Sequence, residues 1–428
     1  MFKTLIFIFA LVFLSPARGE WKFSGSASSY INSLQVPSTT VAPSDKAGIY
    51  SELKLDNKMN SAWRFKSDSI IRTDFVARDA VEFFQFIPRN LYLQKKGKSL
   101  TFRFGFQTLQ IDGPDVINPA DIVHAKNWID PSSSLTMSSA GVSVSQEVDE
   151  WNWELFYVPR QTPAVLPGEQ SPWLPRKKRL PIESEDTEIR IPDDVHYQYL
   201  AATELNDALD HNVTAKIQRK AENLETQLIY YNGLSHSPFL LTRVNGTLIS
   251  VNPDIILVDS PVRLKPLYYR HQAIAATFVI PFESWVIRGG INWLKPQGSD
   301  VRVPDETRLM VAGIEKSIET NLGLITGIAD YVRQERQDEN QISFLRSIME
   351  EAITLGVRIP WGEETQFFAG GLYDLVGHSY LYKVSAIHRL SNSWSVETGA
   401  QIISGPEETL LGLYEKYDSY QLKFSHFW

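Results

Sequence analysis

The chain ends in Tyr420-Gln421-Leu422-Lys423-Phe424-Ser425-His426-Phe427-Trp428 (YQLKFSHFW), a stretch that alternates in polarity. Successive side chains of a strand point to opposite faces, so Tyr420, Leu422, Phe424 and Trp428 share one face and Gln421, Lys423 and Ser425 the other. His426 and Phe427 break the alternation. Such a strand suits a wall with apolar lipid on one side and water on the other; a half-buried strand of a soluble sandwich is the plainer alternative.

The other end of the chain favours the first reading. Lys3 supplies a positive charge, Leu5 to Leu14 an apolar stretch, and Ala17-Arg18-Gly19 a small-x-small cleavage site before Glu20, which together read as an export signal over residues 1–19. Residues 20–428 then read as one domain, with no linker to divide them. No run reaches the roughly 18 apolar residues of a membrane helix, so a membrane would have to be crossed by strands. The absence of cysteine excludes a lipid-modified N-terminal cysteine and a disulfide framework.

Composition is compatible with a barrel. Hydrophobic residues make up 43%, as expected when only alternate strand positions meet lipid, and 11 Trp and 17 Tyr suit interfacial girdles. A carbohydrate-binding sandwich could be as aromatic. The net charge of -8 argues against a nucleic-acid partner.

Turn lengths, counted backwards from Trp428, alternate between long and short, as a barrel with short periplasmic turns requires. A long segment precedes strand 418–428, the turn at Ser391-Asn392 precedes 393–403, and a loop around Asp374 precedes 379–390. Strands follow at 364–373, 351–359, 321–333, 307–318, 284–294 and 267–280, the last of which could be helical by its alanines. Hairpins at 211–220/223–232, 140–148/151–159, 89–95/98–108 and 47–56/60–71, with an opening strand at 21–33, complete the set. The expectation is an all-β, antiparallel up-and-down transmembrane barrel of about 18 strands (16–18), in the bacterial outer membrane.

Alternation assigns faces. Leu100, Phe102, Phe104 and Phe106 should meet lipid while Arg103 points inward; Trp63 and Phe65 point out while Arg64, Lys66 and Asp68 point in. Trp285, Ile287, Ile291 and Trp293 oppose Arg288 and Asn292, and Ile353, Leu355, Val357 and Ile359 oppose Arg358. A charge at the lipid midplane costs about 2 to 4 kcal/mol, which enforces these directions. The inward charges either pair with one another or set a field that selects permeants.

Three loops are long enough to enter a lumen. The first, Thr108 to Ser139, holds Asp112-Gly113-Pro114-Asp115 and Ile117-Asn118-Pro119-Ala120-Asp121, then His124, Lys126 and Trp128. Asn118 and Pro119 favour a rigid turn, and Asp121 is positioned to cap a short helix through Ile122, Val123 and His124. Folded inward, this loop would line a constriction with Asp112, Asp115, Asp121, His124 and Lys126, adding to Arg64, Lys66, Arg103, Arg288 and Arg358 in the lumen. The second loop, 160–210, has a basic block at Arg176-Lys177-Lys178-Arg179 and an acidic run of Glu183, Glu185, Asp186 and Glu188; it reads as an exposed loop, or as a patch contacting lipopolysaccharide phosphates or an anionic substrate at the pore mouth. The third, Gly233 to Pro266, is more apolar and could plug the lumen or form a hairpin outside it.

Gly105-Phe106-Gln107 on a strand, a following Gly113, and Ile117-Asn118-Pro119-x-Asp121 resemble an uncharacterised family of large bacterial outer-membrane β-barrels, distantly similar to porin-like and polysaccharide-export barrels. That family usually has Trp before the Gly, where this chain has Asp112. The resemblance covers about 20 residues and the terminal strand. It implies a pore or export role with a loop folded into the lumen, and brings no catalytic residues.

Enzyme signatures are weak. Ser235, His236 and Ser237 form the one dense Ser/His cluster, without a Gly-x-Ser-x-Gly frame. The eight histidines show no zinc-ligand spacing and no phosphate loop is present, so no cofactor or metal is expected. The expected function is a channel or exporter for a polar solute. A barrel-embedded hydrolase and a plugged receptor or adhesion scaffold are the alternatives. Expected partners are outer-membrane lipid, lipopolysaccharide, and the barrel-assembly machinery through the last strand.

Overall fold

The computed structural model describes residues 20–34, 45–76, 83–129, 135–171, 173–174, 187–192, 194–243, 245–251, 254–298, 303, 306–336, 350–406, 409–415 and 417–428. The export signal at 1–19, the block Arg176 to Arg179 and the acidic Glu183, Glu185 and Asp186 lie outside the described residues.

Eighteen strands close into one antiparallel barrel. In chain order they are β1 (Glu20–Leu34), β2 (Asp45–Lys58), β3 (Trp63–Asp74), β4 (Phe84–Lys96), β5 (Leu100–Gln107), β6 (Ser139–Val148), β7 (Trp151–Arg160), β8 (Asp210–Ala221) and β9 (Leu224–Leu234). They continue as β10 (Arg270–Phe282), β11 (Trp285–Pro296), β12 (Thr307–Thr320), β13 (Gly323–Arg336), β14 (Glu351–Trp361), β15 (Thr365–Asp374), β16 (Tyr380–Arg389), β17 (Trp394–Ser404) and β18 (Ser419–Phe427). Each pairs with its sequence neighbour, and β1 pairs with both β2 and β18, so no strand edge is left open.

Register rows show the two faces. Phe104, Val142 and Tyr157 lie side by side and are 43%, 39% and 37% exposed. One residue along, Arg103, Ser143, Phe156, Thr214, Tyr231 and Ala273 form the opposite row, and all but Arg103 are at most 2% exposed. The exposed apolar face suits lipid; the buried face shows that the interior is filled along this arc.

Three sequence expectations change. Phe106 lies on the outward face but is covered there by Phe65 and Leu91. His426 keeps the outward direction, its ring 4.5 Å from Trp394 and 5.8 Å from Trp428, so only polarity is interrupted. The alanine-rich stretch is strand β10, with Ala273 and Ala275 buried against Ile122 and Val123, where nothing larger would fit.

The second and third loops combine. Thr187–Arg190 pairs in parallel with Asp254–Val258, which also pairs with Gly246–Ser250. Tyr197–Tyr199 and Thr203–Glu204 pair in parallel with Val262–Tyr268, and Phe239–Arg243 pairs with it antiparallel. Leu174, Ile191, Val195, Tyr197, Val258, Val262 and Leu264 are their shared core. The third loop is therefore neither a lone hairpin nor a lone plug.

Candidate functional site

The first loop determines how much of the lumen remains. Asn118 Oδ1 accepts from the Ala120 N–H at 2.9 Å, and the Asp121 N–H donates to the Asn118 carbonyl at 3.1 Å, closing the expected turn. The expected helix through Ile122, Val123 and His124 does not form. The Asp121 carboxylate is engaged by Lys126 and does not cap a helix.

Polar contacts tie this loop to inward side chains of the wall. Thr277 Oγ1 donates to the Asp112 carbonyl at 2.9 Å, Lys216 Nζ to the Gln110 carbonyl at 3.1 Å, and Asn292 Nδ2 to the Pro119 carbonyl at 2.7 Å. Apolar packing follows the same arc. Ala125 packs on Ile70 and Ile87, Leu109, Ile122 and Val123 on Ile229, Tyr231, Ala273 and Ala275, and Ile117 on Val311, Val332 and Ala352. The loop thus lines the inner wall from β3 round to β14.

The expected lumen residues are mostly paired. Arg64 Nε donates to Asp56 at 2.7 Å, with Lys66 across from Asp56 in register. Arg103 Nη1 donates to Glu154 at 2.8 Å, and Glu154 also pairs with Lys216 at 3.5 Å. Buried Arg288 joins Asp115 of the loop to Glu315 of the wall. Asp112 lies 3.2 Å from Lys220 and accepts from Gln218. Burial alone would raise its carboxyl, but hydrogen bonds from Lys220, Gln110 and Gln218 outweigh this and hold it below the usual range. Arg358 is exposed and joins none of these clusters.

His124 departs from expectation. It is 3% exposed, and Nε2 accepts the Leu109 N–H at 2.9 Å, so the imidazole closes the loop and is largely withdrawn from solvent. Burial holds its pKa below the ordinary value, against the opposing pull of Asp121. The unfolded chain therefore binds a proton that the folded loop refuses; the stability from neutral His124 is present above about pH 6.5 and falls as pH drops below it. No His124-dependent conductance step is expected between about pH 6 and 7. Tryptic cleavage at Lys126 should instead accelerate on acidification, and His124→Ala should speed it at neutral pH. A conductance step abolished by His124→Ala would return the imidazole to the permeation path.

Opposite the loop, β16 to β18 and β1 to β3 keep an open strip. A cavity of about 240 Å³ lies there, lined by Tyr30, Asn32, Tyr50, Arg72, Lys383, Glu397, Gln401, Gln421 and Lys423 among others, with Leu135 from the loop. Arg72 lies 5.5 Å from the Tyr30 ring and Lys423 5.8 Å from the Tyr50 ring; Lys423 is 3.5 Å from Glu397. Asn32 Oδ1 and Gln401 Nε2 are buried without a hydrogen-bond partner among the described residues. Asp121 and His124 border a second cavity, of about 440 Å³, which also reaches Leu135. Arg72 and Lys383 were not singled out from sequence, although the alternation of Leu381, Lys383 and Ser385 against Tyr382 and Val384 carries the signal.

No family model and no curated protein matches the chain. Among solved structures it is similar to OccK2 (OpdF) of Pseudomonas aeruginosa in complex with glucuronate, with a TM-score of 0.54, 11% identity, and 95% of this chain and 98% of that one covered. OccK5 (OpdH) of the same organism gives a TM-score of 0.54 at 9% identity over 95% and 98% of the two chains. Pseudomonas aeruginosa OpdK with vanillate gives 0.53 at 9% identity over 96% and 98%. At such identity the likeness is one of fold: a closed antiparallel β-barrel like those of these outer-membrane proteins.

Proposed function

We propose that the protein is an outer-membrane channel for small polar solutes, with organic anions favoured, and that they pass along the strip between β16–β18 and β1–β3. The observation that carries this reading is the cavity lining, where Arg72, Lys383 and Lys423 meet one acid, Glu397, among the described residues. The orphaned amide atoms of Asn32 and Gln401 offer an acceptor and a donor, and Tyr30 and Tyr50 offer ring faces. Barrels of similar fold named as complexes with glucuronate and vanillate, both small carboxylates, support the same solute class. Asp121 borders the neighbouring cavity on the loop side of the path. No hydrolytic step is assigned: Ser237 accepts from Trp128 Nε1 at 3.0 Å, Ser235 bonds Tyr269, and His236 Nδ1 is buried without a partner among the described residues.

Reversal potentials of the purified protein in a planar bilayer test this. Wild type should prefer anions. Lys383, exposed and without an ion pair among the described residues, can be reversed without leaving a charge unpartnered. Lys383→Glu should move the reversal potential towards cations with folding unchanged. A cation-selective wild type would sink the assignment. No conductance at all would favour the plugged scaffold, which has one observation behind it: Trp173 and Leu411 pack on Ile403 in the mouth.

A further inference from the structure

Three cations stand on the lipid face beside the short turns, each against a tryptophan. Lys95 lies 5.4 Å from the Trp63 ring, Arg219 5.7 Å from Trp151, and Lys316 4.3 Å from Trp285. In every case the two are register partners on adjacent strands, and the tryptophan is the first residue after a short turn. Tryptophan favours headgroup depth, and a cation on this face is tolerable only where it reaches the same level. Arg219 is paired with Glu150, whereas Lys316 has no acidic partner among the described residues.

Beside Lys316 the wall is indented. A groove of about 650 Å³ runs from Trp285 and Lys316 across the outer face of β12 to β16. Gly327, Ala329 and Ala369 form its floor, and Ile314, Leu355 and Tyr382 stand along it. A Cβ added at Gly327 would meet nothing within 4 Å, so the floor there opens onto free space.

We infer that this groove holds a phospholipid of the periplasmic leaflet, its acyl chain along the floor and its phosphate on Lys316. Lys316 presents an uncompensated positive charge at headgroup depth, where a phosphate is the complementary group. A second copy fits less well. Two convex barrel walls meet along a line and would bridge the indentation, leaving it empty, whereas a slender chain fills it and recovers the dispersion contacts.

The full-length protein, taken up in mild detergent and delipidated, is titrated with phosphatidylglycerol, and bound lipid per chain is counted by native mass spectrometry. A single tightly held lipid is expected. Lys316→Gln should weaken it about tenfold, the worth of one charge-assisted contact, while Lys316→Arg retains it. Gly327→Leu should exclude it by occupying the floor. The heat-modifiable gel shift reports that each variant is folded, and the conservative arginine variant keeps the comparison available if one of the others is not. Equal lipid binding by wild type, Lys316→Gln and Gly327→Leu overturns the site. So does a Gly327→Leu variant that loses self-association while its lipid count is unchanged, which would give the groove to a second copy.

Discussion

Deletion of Phe427 and Trp428 is expected to leave the chain in the periplasm as a protease-sensitive species, with no heat-modifiable barrel in the outer-membrane fraction. These residues lock the seam. Ser419 to Phe427 pair with Leu34 to Ser26, and Trp428 extends the ladder by exchanging hydrogen bonds with Gly25, at 3.2 and 3.3 Å. The Trp428 ring stacks on Phe23 at 6.3 Å and lies over Gly25, where any Cβ would sit 2.9 Å from the indole. Phe427 and Trp428 stay about half exposed, so their partial burial and one stacked pair contribute about 2 to 4 kcal/mol. Such a loss alone would lower the urea midpoint of a barrel that still inserts. Complete failure to insert requires, in addition, that the last strand is recognised during assembly, the role the alternation of YQLKFSHFW implies. Trp428→Ala separates the two contributions: a destabilised but inserted point variant beside a degraded truncation supports recognition of the strand end. Normal insertion of the truncation would remove that role.

The barrel was legible because its wall is built from a local rule. A strand with lipid on one face and filled lumen on the other must alternate, and a two- to four-residue turn must reverse it, so β5, β12 and β18 could be read from neighbouring residues alone. β10 was ambiguous because Ala273 and Ala275 report how close the loop approaches, a constraint set by residues far away in sequence. The parallel pairing of Thr187–Arg190 with Asp254–Val258 has no connecting turn and left no local trace.

The site was legible as a set of faces and not as a set of partners. Alternation put Arg103 and Arg288 inward, yet only the folded chain shows that Glu154, Asp115 and Glu315 engage them. His124 looked like a titrating lumen group because a loop folded inward would present its imidazole to the pore; the Leu109 N–H that engages it comes from the loop's own other limb. The alternation around Lys383 could turn it inward, but the strip that holds it is defined by what the loop leaves uncovered, which no local window of sequence shows.

Replacing Arg288 by Met is expected to release the tip of the first loop and raise single-channel conductance at neutral pH. Arg288 holds Asp115 to Glu315, and Asp330 sits beside them with Oδ2 accepting from Thr354 at 3.0 Å and Oδ1 without a partner among the described residues. Without the guanidinium, three carboxylates face one another and repulsion drives the loop-borne member, Asp115, off the wall, taking Ile117 from Val311 and Val332. Breaking a fully buried pair by removing one partner costs about 3 to 5 kcal/mol; the Asp115 side chain is 63% exposed, so about 2 kcal/mol is the fitting scale. That shifts the ratio of released to held loop about 30-fold, which takes a loop released about 1% of the time to roughly a quarter, visible in the channel record. Asp115→Asn added to Arg288→Met removes the repulsion at its moving end and should restore wild-type conductance. If the double variant conducts like the single one, or if Arg288→Met is indistinguishable from wild type at neutral pH, the Arg288 clasp does not hold the loop, and the apolar contacts of Ile117, Ile122 and Val123 suffice.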